Sequence, residues 1–273
     1  MNSTFNGCIN LGNVAILNGV TNIGDYAFSS CTSLTNITIP SSVTYIGNYD
    51  FDGCASLANV AIPNGVIDIM EFAFANCTNL KSVAMPDTVT SIAAFAFWNC
   101  YSLTNVILPN GIANISIGAF NDCRSLASII IPKSVTGIGD EMFLNCTGLT
   151  GIYFTGNAPQ TGSDTFDGDN LDNITVYHLS GTTGWDTTFQ GVPTAPWLPQ
   201  MQTTSASLGL QANQFGFNIA WASGQTVIVE ACTNLSTPTW QPVQTNTLMT
   251  SPAPFSDPQW TNYPNRFYRL RSP

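Results

Sequence analysis

Charge is the scarcest property of this sequence: only 8% of its 273 residues are Asp, Glu, Lys or Arg. Six are basic against 16 acidic, for a net charge of −10. A lysine-poor, acidic surface excludes nucleic acid and anionic membranes as partners, because neither a phosphate backbone nor a headgroup layer is drawn to it. Histidine occurs once, at His178, so any Ser-His-Asp or Cys-His site has one place to be. No apolar run approaches the length of a membrane-spanning helix. Residues 1–8, MNSTFNGC, carry no basic and apolar leader, so no signal peptide is expected. Neither a C-x-x-C pair nor a Cys/His pattern is present, which argues against zinc. No residue set calls for a cofactor.

What is present is a period. Cysteine recurs every 23 residues at Cys8, Cys31, Cys54, Cys77, Cys100, Cys123 and Cys146, and phenylalanine keeps the same step from Phe5 to Phe166. Aligned on cysteine, the unit reads C-x-x-L-x-x-V/I-x-I/L/M/F-P-x-x-V-x-x-I-x-x-x-A-F-x-x. The V/I-x-I spacing is a half-buried strand, and proline at Pro40, Pro63, Pro86, Pro109 and Pro132 ends it where a missing N–H does no harm. One such unit buries too little to fold alone, so neighbours must stack and share their apolar faces. Equivalent cysteines then lie about 4.8 Å apart with parallel Cα–Cβ bonds, a poor geometry for a disulfide, and read as a ladder of free buried thiols.

The L-x-x-V/I-x-I/L-P core followed by A-F-x-x-C resembles the BspA-like leucine-rich repeat family over residues 5–168. The resemblance implies a mostly β fold, a leucine-rich-repeat solenoid with one parallel sheet. It also implies a secreted or cell-surface protein used in adhesion and recognition, with protein or glycan ligands and no catalytic residues to carry over. Phe5 and Cys8 already occupy the end columns of a unit, so the chain is expected to start inside a repeat. An uncapped first repeat exposes an apolar end and makes end-to-end self-association an expectation.

Three segments are expected: a solenoid over 1–168, a cap and linker over 169–200, and a small antiparallel β-sandwich of immunoglobulin or fibronectin type over 201–273. The unit at Cys146 is eroded, with Thr155 in place of proline and Asp169 where the next cysteine belongs, as in a capping repeat. NITVYHL supplies a last strand, with Trp185, Phe189 and Trp197 as a lid. Beyond it, FGFNIAW (215–221) and TVIVEAC (226–232) alternate and read as a strand, a turn at Ser223-Gly224 and a returning strand. Further strands are expected at 240–245, around Phe255 and over 266–271. That tail resembles β-sandwich modules at the C-termini of secreted bacterial proteins.

Candidate sites follow from the columns. The variable residue between the two buried strand positions, Ala15, Thr38, Ala61, Ala84, Ile107, Ile130, Tyr153 and Val176, lines the concave face. Ile107, Ile130 and Tyr153 make it apolar, either as a partner-binding patch or as a floor packed under the cap. Tyr26, Tyr49, Phe72 and Phe95 form an aromatic column with Trp98 and Tyr101 nearby, either a platform for sugar or protein or a cover for the core. Asp164, Asp167 and Asp169 could ligate calcium or cap turns; the full calcium-loop pattern is missing. His178 reads as structural, and Arg266, Arg269 and Arg271 as a charged edge strand. The expected function is non-catalytic recognition or adhesion, with a carbohydrate-binding module, or a hydrolase sited at the domain junction, as the competing readings.

Overall fold

The computed structural model describes residues 2–168, 171–202, 208–211, 214–220, 225–248 and 252–272. The chain divides into two units, Met1–Ala195 and Pro196–Pro273.

In the first unit each repeat lays down a longer strand and a two-residue strand. They are β1 (Asn13–Ala15) and β2 (Asn22–Ile23), β3 (Asn36–Thr38) and β4 (Tyr45–Ile46), β5 (Asn59–Ala61) and β6 (Asp68–Ile69). β7 (Ser82–Ala84) and β8 (Ser91–Ile92), β9 (Asn105–Ile107) and β10 (Asn114–Ile115) follow. β11 (Ser128–Ile131) and β12 (Gly137–Ile138), β13 (Gly151–Phe154) and β14 (Gln160–Thr161), then β15 (Thr175–His178) complete the stack. The longer strands pair in parallel, with Val14 opposite Ile37, Val60 opposite Val83 and Ile129 opposite Ile152. Alongside the expected sheet the return path adds a second parallel ladder, β6-β8-β10-β12-β14, with β2 paired to β4.

A third side is built from turns. Phe51 N donates to Ala73 O at 2.8 Å, Phe74 N to Ala96 O at 2.8 Å and Phe97 N to Ala119 O at 3.0 Å, so rung bonds to rung here too. Within a rung, Leu34 N donates to Cys31 O at 2.9 Å and Val43 N to Pro40 O at 3.0 Å. These two turns explain C-x-x-L and P-x-x-V as the first and last residues of four-residue turns.

Two backbone positions per repeat are left-handed. One column runs Ser30, Gly53, Asn76, Asn99, Asp122, Asn145 and Gly168, the residue types that tolerate positive φ. The other runs Tyr26, Tyr49, Phe72, Phe95, Gly118, Glu141 and Asp164, where bulky residues sit at φ 53–59° in the first four rungs.

The core is the shared interior. Phe28 to Phe51, Phe51 to Phe74 and Phe74 to Phe97 are parallel-stacked at 5.5, 5.2 and 5.5 Å between centroids, and the stack continues to Phe166. Cys31 through Cys146 are buried and unbridged, as the ladder geometry requires, whereas Cys8 is exposed. Each buried thiol donates to the carbonyl of the phenylalanine 26 residues earlier, Cys54 to Phe28 O at 3.2 Å and Cys77 to Phe51 O at 3.1 Å. A small donor that packs like a hydrophobe is what the column needs, since that carbonyl lies beyond the rung-to-rung bonds.

Beyond β15, β16 (Thr188–Phe189) and β17 (Val192–Pro196) form a hairpin, with β17 next to β15. Trp185 and Phe189 close over Phe154 at 4.9 and 5.7 Å, as a lid should; Trp197 falls in the second unit.

The second unit has two antiparallel sheets. One contains β18 (Gln200–Gln202), β19 (Gly209–Gln211), β20 (Gln214–Ala220) and β23 (Ala253–Asp257); the other contains β21 (Thr226–Cys232), β22 (Gln241–Thr247) and β24 (Phe267–Arg271). The expected return pairing of 215–221 with 226–232 is not formed: β20 pairs with β18, β19 and β23, while β21 pairs with β22 and β24. Both strands carry a buried apolar alternation, Phe217 and Ile219 on one and Val227 and Val229 on the other, so the chain places them in opposite layers where both faces are covered. Tyr268 joins the layers, 5.1 Å from Phe215 and 5.9 Å from Phe255. Trp221 and the Ser223-Gly224 turn lie outside the described residues.

Candidate binding surface

On the longer-strand side the middle residue of every strand points in and its neighbours point out, so one exposed column crosses the rungs. It runs Ala15, Thr38, Ala61 and Ala84, then turns apolar at Ile107, 68% exposed, and Ile130, 46% exposed. The next members are Tyr153 and Tyr177, whose rings stack at 4.7 Å with 8° between planes. Val176, expected in this column, is instead fully buried opposite Ile152. The step from β13 to β15 is 24 residues rather than 23, and a one-residue slip exchanges the faces of a strand. Burial first, then Tyr177, pushes the Tyr153 hydroxyl above its ordinary pKa. Ile107, Ile130, Tyr153 and Tyr177 thus form one apolar line. Tyr177 was legible: placing Ile174 and Val176 on the inner positions puts Tyr177 on the outer one.

The aromatic column lies on the turn side. Tyr26, Tyr49, Phe72 and Phe95 stack in sequence at 4.7, 4.6 and 5.2 Å. Trp98 meets Phe72 and Phe95 edge-on at 6.3 and 6.4 Å. Gly118 ends the column: a Cβ there would lie 2.2 Å from the Phe95 ring. The inner ring faces are therefore occupied by one another, and the stacking offsets the left-handed backbone that holds the rings. Tyr101 stands apart, under the Arg124 guanidinium at 4.6 Å, which in turn pairs with Asp122 at 2.7 Å.

Polar groups on this side bond along the stack. Asn48 N donates to Asp25 Oδ1 at 2.9 Å and Ser163 N to Asp140 Oδ1 at 2.8 Å. Asn76 donates to Asp52 at 2.8 Å and Asn99 to Asn76 at 2.9 Å. One member is out of place. In the alanine column of Ala27, Ala73, Ala96 and Ala119 stands Asp50, 0% exposed, accepting from Ala27 N at 2.9 Å and Gly47 N at 2.7 Å. Burial raises its pKa from 3.8 to about 7, outweighing those two donors.

Of the calcium candidates, Asp164 and Asp167 line a cavity of about 240 Å³ with Leu171 and Gln190, and Asp167 caps its own turn through Gly168 N at 2.9 Å. Asp169 lies outside the described residues, among which no group of three His, Cys, Asp or Glu residues is placed to hold a metal ion. His178 is stacked on Trp185 at 5.2 Å, and the nearby Thr182 hydroxyl donates to Leu179 O at 2.6 Å. Arg269 and Arg271 on β24 bond Glu230 of β21 at 2.7 and 3.1 Å, while Arg266 is paired with buried Asp257 at 2.6 Å.

Stacked parallel rungs with separate strand and turn sides define a β-repeat solenoid. The chain belongs to the BspA type leucine rich repeat family, whose pattern matches residues 1–97 and 69–191 in six copies. A leucine-rich repeat protein from T. pallidum is similar at 29% identity, over 66% of this chain and 78% of that one, with a TM-score of 0.50. A leucine-rich repeat protein from Bacteroides ovatus matches at 25% identity and a TM-score of 0.43, over 65% of this chain, which spans 58% of that protein. A structure from Faecalibacterium prausnitzii, described as a leucine rich cell surface protein, matches at 30% identity over 55% of each chain, with a TM-score of 0.36. No curated protein matches. The family fits a protein that is not an enzyme. Among the described residues no helix is long and apolar enough to cross a membrane.

Proposed function

We propose that the protein is a non-catalytic recognition module of a secreted or surface-displayed protein, binding a protein partner through the longer-strand side of the solenoid. The observation that carries this reading is the apolar line Ile107, Ile130, Tyr153 and Tyr177, the two isoleucines exposed and the two stacked tyrosines half-buried, on a side where each rung is fixed by its neighbours. Large apolar side chains held on a rigid surface are what a protein interface places at its centre. Family membership supports the location. A glycan reading resting on the aromatic column has less support, because stacked neighbours cover the faces a sugar ring would use.

The test is retention of purified matrix and cell-surface proteins on the immobilised full chain. Ile107→Asp with Ile130→Asp should abolish retention of whatever binds while the chain stays folded, at a cost of about 1–2 kcal/mol from two carboxylates on neighbouring rungs and the lost partial burial of Ile130. Retention that survives both changes refutes the assignment of this side.

A further inference from the structure

At one end of the second unit the β21 and β22 strands and the 258–266 connection surround a cavity of about 340 Å³, within the size range of small-molecule sites. Its polar lining is Thr233, Thr239, Gln241, Gln259, Tyr263 and Arg266. The opening coincides with a break in the sheet. The β21–β22 register shifts between Val229 and Glu230, Val229 facing Gln244 and Glu230 facing Pro242, so Val243 is left over on the cavity side. Such bulges turn side chains out of the regular alternation, and Pro242 brings no N–H to the ladder.

The electrostatics select the ligand. Among the described residues Arg266 is the cavity's one charged lining group, and it is paired with Asp257. Asp257, 1% exposed and outside the lining, accepts from Arg266 Nε at 2.6 Å, Tyr268 Oη at 2.9 Å and Gln259 N at 2.8 Å. The guanidinium lies against the Tyr263 ring at 4.1 Å. Nε is one of five N–H donors on that group. The remaining lining groups are hydroxyls and carboxamides, which both donate and accept. A charged ligand finds no unpaired opposite charge here, whereas a hydroxyl-rich neutral one meets donors and acceptors together.

We propose that this cavity binds a neutral, polyhydroxylated molecule of monosaccharide size, with Arg266 and Gln241 as hydrogen-bonding groups and Pro242 and Val243 as its apolar wall. All of its described lining residues belong to the second unit.

Saturation-transfer NMR and calorimetry on the full chain would use glucose, galactose, mannose and N-acetylglucosamine as neutral probes, with glucuronate and glucosamine as charged counterparts. Saturable millimolar binding of at least one neutral sugar is expected, with the charged counterparts about tenfold weaker, a difference of ~1.4 kcal/mol. Gln241→Ala, at an exposed position, should weaken binding about fivefold or more without lowering Tm. Tyr263→Ala should weaken it as much at some cost in Tm, since its ring also holds the Arg266 guanidinium. Ile107→Asp should leave binding unchanged. Absence of binding by all four neutral sugars, equal or tighter binding of a charged one, or binding indifferent to both cavity variants would overturn the proposal.

Discussion

Asp50 should make the N-terminal rungs less stable as pH rises, and alanine should remove that dependence. The group is buried in the alanine column with a folded pKa of about 7 against an ordinary 3.8. A carboxyl whose folded pKa is raised binds its proton more tightly in the native state, so its contribution is complete below the unfolded value and lost as pH rises toward 7. Asp25, Tyr45, Cys54 and the N-terminal amine are the titratable groups whose charges couple to it. From pH 5 to pH 8 the linkage amounts to about 3 kcal/mol, each tenfold difference in proton affinity between the folded and unfolded chain being worth ~1.36 kcal/mol. Asp50→Ala leaves no orphaned donor, because Ala27 N also bonds Gly24 O at 3.1 Å and Gly47 N also bonds Ile23 O at 3.1 Å. The assay is urea denaturation of both proteins across that range, with amide exchange over residues 25–54 to localise the effect. The variant-minus-parent stability should grow by about 3 kcal/mol between pH 5 and 8, a difference in which pH-independent packing changes cancel. Parallel curves would refute the reasoning.

Three further expectations rest on other parts of the stack. At pH 8 in native buffer a thiol reagent should titrate Cys8 quickly and the ladder from Cys31 to Cys146 only on unfolding, since burial raises Cys100 and Cys123 well above the ordinary thiol value; fast reaction at any ladder cysteine would contradict this. Gly118→Ala should cost about 1–3 kcal/mol, because the Phe95 ring fills the Cβ position and the backbone is left-handed there, and only the share due to the ring should disappear when Phe95 is also alanine. A urea-melt double-mutant cycle reads the coupling, and additive costs would exclude it. Phe5, Leu17 (76% exposed) and Val20 make an exposed apolar patch on the first described rung, beside a cavity of about 180 Å³ lined by Ile16, Ile23 and Phe28. Light scattering on this chain should show concentration-dependent association that Leu17→Glu with Val20→Asp suppresses; a monomer at all concentrations counts against pairing through this patch.

The fold was legible because repetition repeats the evidence: each core column is written seven or eight times, so the Phe stack and the parallel register follow from spacing alone. The signal failed where the count changed. One extra residue before β15 moved Val176 inward and Tyr177 outward, and a fixed period cannot register an insertion. In the second unit the alternation of β20 and β21 marked strands correctly but not their partners, because strands of opposite layers show the same pattern as a hairpin. The thiol-to-carbonyl bonds were invisible for another reason: a buried cysteine reads as a small hydrophobe until its acceptor is located. The cavity of the second unit depends on a bulge, and bulges have no period at all.

The two long sides of the solenoid differ in what their side chains have left to offer. On the turn side the rings face one another, the carboxamides bond in series, and Asp25 and Asp140 hold amides of the following rung. A substitution there disturbs the stack itself, because each group serves the next rung. On the longer-strand side the rungs are already joined by main-chain bonds, and the outward side chains from Ala15 to Ile130 take no part in them. Side chains in that column can change without touching the ladder that holds them. A surface in which the backbone supplies the rigidity and the exposed residue is free to vary suits recognition, and this supports placing the partner on Ile107, Ile130, Tyr153 and Tyr177 rather than on the aromatic column.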